Sequence, residues 1–297
     1  MPRVTWTDLP ETTRTAVQAV FGEAKRVDDL AGGLMPGMAC RLHADNGIVF
    51  LKAVRADSPA FRLYVNETRV NAALPNDAPS PRLLWTAELN GWLLLVFPCL
   101  EGRTVDLSPA SPDLPAVLDT LALLGKALTP SPWPTAPAVA ANITALQEKA
   151  HRLLTRHDVG LPGRDLFADL LSGLDLDEFA GGSLVHYDIH AGNLLVTEQG
   201  VQVLDWAFAA AGAPWIDAAM LVPRLIEAGH SPAIAEDLVS RLPAWDSAPS
   251  DAVTRLAALW TLFRHYKALF GPADAREARV RATTAGRAWV EHRMALR

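Results

Sequence analysis

The stretch His186-Tyr187-Asp188-Ile189-His190-Ala191-Gly192-Asn193, followed by Leu204-Asp205-Trp206, decides how the rest of the chain is read. It offers two carboxylates and an amide, the hard oxygen donors that Mg²⁺ prefers. Asp188 and Asn193 stand five residues apart, a step that allows one loop to point both inward at once. A short apolar strand, Leu194 to Val196, follows directly. The turn Glu198-Gln199-Gly200 and a second strand, Val201 to Leu204, then bring the chain to Asp205. Such a strand-turn-strand places Asp205 beside Asn193. This pattern fits H-x-D-x-x-x-x-N with a downstream Asp. In phosphoryl transfer of the kinase type, the first Asp accepts the hydroxyl proton, and the Asn and later Asp hold the metal against the phosphates. A lone Asp or Asn in a loop usually caps local backbone. The joint spacing separates this pattern from that reading.

The segment resembles the aminoglycoside phosphotransferase family, within the protein-kinase-like superfamily. Members carry H-G-D-[LI]-H-x-G-N and then [IV]-D-W, and Gly212-Ala213-Pro214-Trp215-Ile216-Asp217 resembles the family's G-x-P-x-x-D. The resemblance implies an α+β, two-lobed, kinase-like fold: a small antiparallel β-sheet lobe with one helix, and a larger, mostly helical lobe. It also implies transfer of the γ-phosphate of ATP, or of GTP, to a hydroxyl of a small molecule such as an antibiotic, sugar or related metabolite. Carried over residue by residue, Asp188 is the catalytic base, Asn193 and Asp205 are Mg²⁺ ligands, and Asp217 anchors the catalytic loop through backbone hydrogen bonds. Two positions depart from the pattern. Tyr187 replaces the usual glycine, and Ala207 stands where an acidic residue often follows Asp-Trp. Neither change removes a reacting group. His190, where protein kinases usually have Lys, and the absence of D-F-G and A-P-E argue against a protein kinase.

Upstream, the first hundred residues read mostly as strands. Asn46-Gly47 and Asn90-Gly91 each separate two apolar runs, the strongest short-range hairpin signal. Between the hairpins, Ser58-Pro59 opens a helix that runs through Phe61 to Leu74 and stops at Pro75. Lys52 sits on the strand after the first turn, where the kinase fold places its phosphate-binding lysine. An apolar strand tolerates a lysine poorly unless it is paired, and Glu67, on the helix, is the expected partner. Gly32, Gly33 and Gly37 fit either a turn over the nucleotide phosphates or a plain flexible hairpin tip. Phe97-Pro98-Cys99 ends the last strand and is the expected hinge, with backbone at Phe97 and Cys99 meeting the nucleobase.

The expected organisation is therefore residues 1–102 as the nucleotide-binding lobe and 103–297 as the helical lobe with catalytic loop and acceptor site. Helices are expected over 114–128, 143–154, 166–176, 252–270 and 275–296. His186 reads as loop support and Trp206 as packing that fixes Asp205. His190 reads equally as loop support or as a contact near phosphate or Asp205. His265, Tyr266 and the tryptophans are more often core than ligand.

Composition bounds the rest. Half of the 297 residues are apolar and a fifth are charged, which is a globular composition. A net charge of -6 argues against nucleic-acid binding. Cys40 and Cys99 form no disulfide framework, and no apolar run approaches the length of a membrane span. The expectation is a cytoplasmic monomer or homodimer. A nucleotide-binding pseudokinase without turnover is the alternative. Residues 207–297 hold 9 acidic and 11 basic side chains. That balance argues against a polycationic aminoglycoside as acceptor.

Overall fold

The computed structural model describes residues 4–30 and 36–296. Gly32 and Gly33, considered above for a phosphate-binding turn, lie outside the described residues. The chain divides into two compact units. The first is Met1–Arg103 with Gln202–Phe208, and the second is Thr104–Val201 with Ala209–Arg297.

The first unit is built on a five-stranded sheet. After a helix α1 (Glu11–Phe21) come β1 (Ala24–Asp29), β2 (Met38–Ala44), β3 (Gly47–Arg55), a helix α2 (Phe61–Ala73), β4 (Trp85–Leu89) and β5 (Trp92–Pro98). The strand order is β1-β2-β3-β5-β4, with every neighbouring pair antiparallel. Side chains alternate across a strand, and that alternation explains the continuous apolar run of β5. Trp92, Leu94 and Val96 pack in a cluster with Trp6, Leu9 and Val17, whereas Leu93, Leu95 and Phe97 pack with Tyr64. A strand buried on both faces needs no polar alternation. The same rule assigns the faces of β3. Val49, Leu51 and Ala53 join the first cluster, and Phe50 and Val54 join the α2 side, so Lys52 faces α2.

The two hairpin turns differ. Asn90 and Gly91 both take positive φ, 52° and 78°, as an Asn-Gly turn of this kind requires. At the other turn only Gly47 does so, because the tight turn is made by Asp45 and Asn46. Helix α1 departs from the strand-rich reading of this region. Its apolar residues recur at helical spacing, and Val17 is completely buried under the sheet. Helix α2 begins at Phe61, where Ser58 Oγ accepts the Ala60 N–H.

The second unit is mostly helical. The short strand β6 (Arg103–Thr104) enters it, followed by α3 (Asp113–Ala127), α4 (Ala140–Leu154), α5 (Arg164–Ser172) and β7 (Ser183–Val185). Next come β8 (Leu194–Thr197) and β9 (Gly200–Val203), along which the chain passes back to the first unit. Strand β10 (Ala210–Gly212) returns to pair antiparallel with β7, and α6 (Ile216–Glu227), α7 (Pro232–Ser240), α8 (Ser250–Phe270) and α9 (Arg276–Ala295) follow. Helix α8 packs chiefly on α9 and α4. Trp215, Trp260 and Trp289 are buried in this unit. No described helix is long and apolar enough to cross a membrane.

Candidate active site

Two clusters of chemically capable side chains result, one in each unit. In the first unit, Lys52 Nζ donates to both oxygens of Glu67, at 2.8 and 3.0 Å, and lies 3.3 Å from Asp205 Oδ1. Glu67 stands on the buried face of α2 with Tyr64, Val70 and Asn71, and the backbone N–H of Trp206 also donates to it. Burial works against the Lys52 charge, but Glu67 and Asp205 outweigh it and hold the ammonium above its usual range. Burial likewise raises the Glu67 carboxyl, with Lys52 pulling in the opposite direction.

Asp205 takes a left-handed backbone conformation, φ 62°, and its side chain is exposed. Left-handed non-glycine residues are sparse and concentrate at functional sites. The neighbours secure this one. Trp206 is buried and donates its indole N–H to Ser80 Oγ at 2.9 Å and to the Val203 carbonyl at 3.2 Å. Asn66 donates to the Ala207 carbonyl at 2.9 Å.

In the second unit, the loop after β7 carries Asp188 and Asn193. Asp217, in the first turn of α6, accepts the backbone N–H groups of His186 (2.8 Å) and Tyr187 (2.7 Å). This is the anchoring that the resemblance implied for it. His186 is fully buried, and its Nδ1 accepts the Asp188 N–H. Asn193 Nδ2 donates to the Asp188 carbonyl at 3.0 Å, which leaves its amide oxygen unpartnered among the described residues. Each candidate metal ligand thus retains an oxygen of the kind Mg²⁺ takes: the Asn193 amide and the exposed Asp205 carboxylate. By donor chemistry, each taken singly fits the metal.

His190 supports the loop and also stands beside Asp188. Its Nδ1 accepts the Gly192 N–H, and its Nε2 lies 3.7 Å from Asp188 Oδ2. Burial raises the Asp188 carboxyl. The hydrogen bond and charge of His190, then the charges of Arg224 and His186, reverse that and hold it well below the usual range. Asp188 is therefore ionised at neutral pH.

The remaining expected residues fall as follows. Phe97 lies inside the sheet ladder opposite Phe50, with its ring buried in the α2-side cluster. Cys99 lies just past β5 and lines a cavity of about 270 Å³ with Arg26, Arg41, His43 and Glu101. Burial raises the Cys99 thiol, so it stays protonated at neutral pH. Gly37 is constrained, since a Cβ there would collide with the Tyr64 hydroxyl. Sequence reasoning missed Arg224 and Arg264. Both lie in helical runs with nothing in their spacing to mark them.

Against known proteins, the model of the phosphotransferase enzyme family matches residues 39–250, which include both clusters. The chain belongs to this family. No curated protein matches the sequence. Solved structures do. The aminoglycoside phosphotransferase APH(4)-Ia, in a ternary complex with ADP and hygromycin B, is 17% identical with a TM-score of 0.66. The match covers 93% of this chain and 98% of that one. Choline kinase LicA from Streptococcus pneumoniae is 15% identical with a TM-score of 0.63, over 93% and 98% of the two chains. Macrolide 2'-phosphotransferase MphH from Brachybacterium faecium is 19% identical with a TM-score of 0.61, over the same shares. At these identities the likeness establishes the kinase-like α+β fold of this phosphotransferase family member.

Proposed function

We propose that this phosphotransferase family member uses ATP and Mg²⁺ to phosphorylate a hydroxyl of a small molecule, with Asp188 as the base. The observation that carries the reading is the loop itself. Asp188 is ionised, Asn193 is tied to its backbone, and Asp217 pins the two residues before it. A rigid loop holds a carboxylate where a hydroxyl can donate to it, and orientation accounts for much of the rate in this chemistry. Asp188 accepts the hydroxyl hydrogen as the oxygen attacks the γ-phosphorus, the bond to the β,γ-bridging oxygen breaks, and ADP leaves. His190, beside it, keeps the carboxylate charged. Lys52, positioned by Glu67, binds phosphate oxygens. Asn193 and Asp205 are the residues that would hold Mg²⁺, which supplies charge neutralisation on the phosphates.

The test is thermal denaturation with Mg-ATP, Mg-GTP and metal-free nucleotide, on the wild type and on Asp205→Asn. A nucleotide at 100 times its dissociation constant stabilises the native state by about 2.7 kcal/mol. The expected result is a metal-dependent shift that Asp205→Asn loses, followed by ADP release with a hydroxylated acceptor. No shift with either nucleotide in folded protein overturns the reading. Binding without turnover on a broad acceptor panel makes the chain a nucleotide-binding pseudokinase.

A further inference from the structure

Around Asp188 the second unit gathers more positive charge than it neutralises. Arg224 on α6 and Arg264 on α8 both place their guanidinium carbons over Trp260, at 5.1 and 5.0 Å from the ring centre, and Arg264 also lies 5.6 Å from Phe263. Arg224 has a carboxylate partner, Glu227, at 2.9 Å. Arg264 has no ion pair and no side-chain hydrogen bond among the described residues. The Asp188 charge acts on it, and its own charge acts on Tyr187. Aromatic rings attract a cation without neutralising it, so they leave its charge in place.

The hydrogen-bonding inventory points the same way. Six buried side-chain polar atoms lack a partner among the described residues, and four belong to this group: Tyr187 Oη, Arg224 Nε, Arg264 Nε and Trp260 Nε1. Three of the four can only donate, and the phenol can donate too. The group lacks acceptors. Other charges facing Arg264 come from Glu227 and from Arg279 on α9. Lys267 on α8 and Lys149 on α4 are nearby cations in turn. The balance around Arg264 is therefore positive. Arg279 is occupied, donating to the carbonyls of Lys267 and Pro272, whereas Arg264 is half-buried with its guanidinium uncommitted. An uncommitted guanidinium within electrostatic reach of a catalytic carboxylate suits a molecule with a hydroxyl for one and an anion for the other.

We propose that the acceptor carries an anionic group, a carboxylate or a phosphate, and that Arg264 binds it while Arg224 adds positive charge from α6. This rests on the reading of Asp188 as the base, and it runs against a cationic acceptor. Arg264 acts on acceptor binding, with no role in holding the nucleotide.

The experiment uses one three-carbon scaffold in four charge states: glycerol, glycerate, glycerol 3-phosphate and 3-amino-1,2-propanediol. A second series uses glucose, gluconate, glucose 6-phosphate and glucosamine. Calorimetry with the full chain, saturated with Mg²⁺ and a non-hydrolysable ATP analogue, measures each affinity. In at least one series an acidic member should bind about tenfold or more tighter than its neutral counterpart, the equivalent of one charge-assisted hydrogen bond. The carboxylate and phosphate members distinguish the two anions. Arg264→Gln should equalise the members of the series, and Arg264→Lys should restore part of the preference, with binding of the nucleotide analogue unchanged in both. Neutral or amino members binding as well as the acidic ones overturn the proposal, as does a preference that survives Arg264→Gln. If Arg264→Gln does not fold, the wild-type ranking alone decides. If no nucleotide binds, the kinase reading falls, and the same ranking on nucleotide-free protein still decides the charge preference.

Discussion

The Lys52 cluster of the first unit and the Arg264 group of the second solve the same physical problem in opposite ways. Each removes a cation largely from water. Lys52 is met by two carboxylates, Glu67 at 2.8 Å and Asp205 at 3.3 Å. Arg264 is met by Trp260 and Phe263, with only distant carboxylates. The consequences for the two charges diverge. Lys52 is held above its ordinary range, whereas burial and then Arg224 push Arg264 down to about 9. A compensated cation strengthens the fold and can still present its charge to a phosphate. An uncompensated one weakens the fold, so a functional use is the better account of it. Neither reading requires the other, and each can be broken separately.

The largest expected effect is on the carboxylate beside the Arg264 group. Asp188→Asn should lower kcat by about 10²–10⁴-fold, the usual contribution of general-base catalysis, with thermal stabilisation by Mg-ATP retained. Steady-state ADP release checks it, and turnover near the wild-type rate would remove Asp188 from the mechanism. Next is the compensated cluster. Glu67→Ala leaves Lys52 with Asp205 alone, and breaking a buried pair costs about 3–5 kcal/mol. Urea denaturation should show that loss, together with a raised KM for ATP. An unchanged midpoint would mean that the pair contributes nothing.

The Arg264 group predicts a change of the opposite sign. Its folded pKa lies below the unfolded one, so the native state binds fewer protons between about 9 and the ordinary arginine value near 12.5. Its ionisation therefore opposes folding at neutral pH, and the penalty is relieved as pH rises through about 9. Arg264→Met should raise the Tm at pH 7 by about 2–4 °C and should lose anionic-acceptor binding. A fall in Tm would show that Asp188 and the aromatic rings compensate the charge after all. The smallest effect is at Tyr187, whose buried hydroxyl has no partner among the described residues. Tyr187→Phe should leave stability within about 1 kcal/mol of wild type or raise it slightly, as read from the denaturation midpoint. A loss well beyond that would mean that the hydroxyl has a partner in solution.

Much of this was legible in sequence, and the reasons are local. Asp188, Asn193 and Asp205 announce themselves through spacing, because one loop and one strand-turn-strand hold them. Lys52 and Glu67 follow from two periodicities: a strand's alternation and a helix's buried face each point one residue toward the other. The β5 run shows its two-sided burial directly. Helix α1 was missed although its apolar residues recur at helical spacing, because the two hairpin signals led the whole region to be read as strands. Tyr187 was visible only as a departure from a motif glycine. Its left-handed φ of 70° accounts for the glycine usually found there.

The sequence by itself singled out the candidate site residues and determined the strand and helix that carry the lysine and its glutamate, and the kinase-like class of fold. These depend on short spacings along the chain. The tertiary structure alone decided which charges are left without partners. Arg224 lies on α6 and Arg264 on α8, forty residues apart in sequence, and no periodicity links them. They share Trp260 because helices from distant parts of the chain pack together, and burial strengthens their influence on Asp188 by excluding water. A charge is uncompensated only with respect to everything that surrounds it, and those surroundings exist only once the chain has folded.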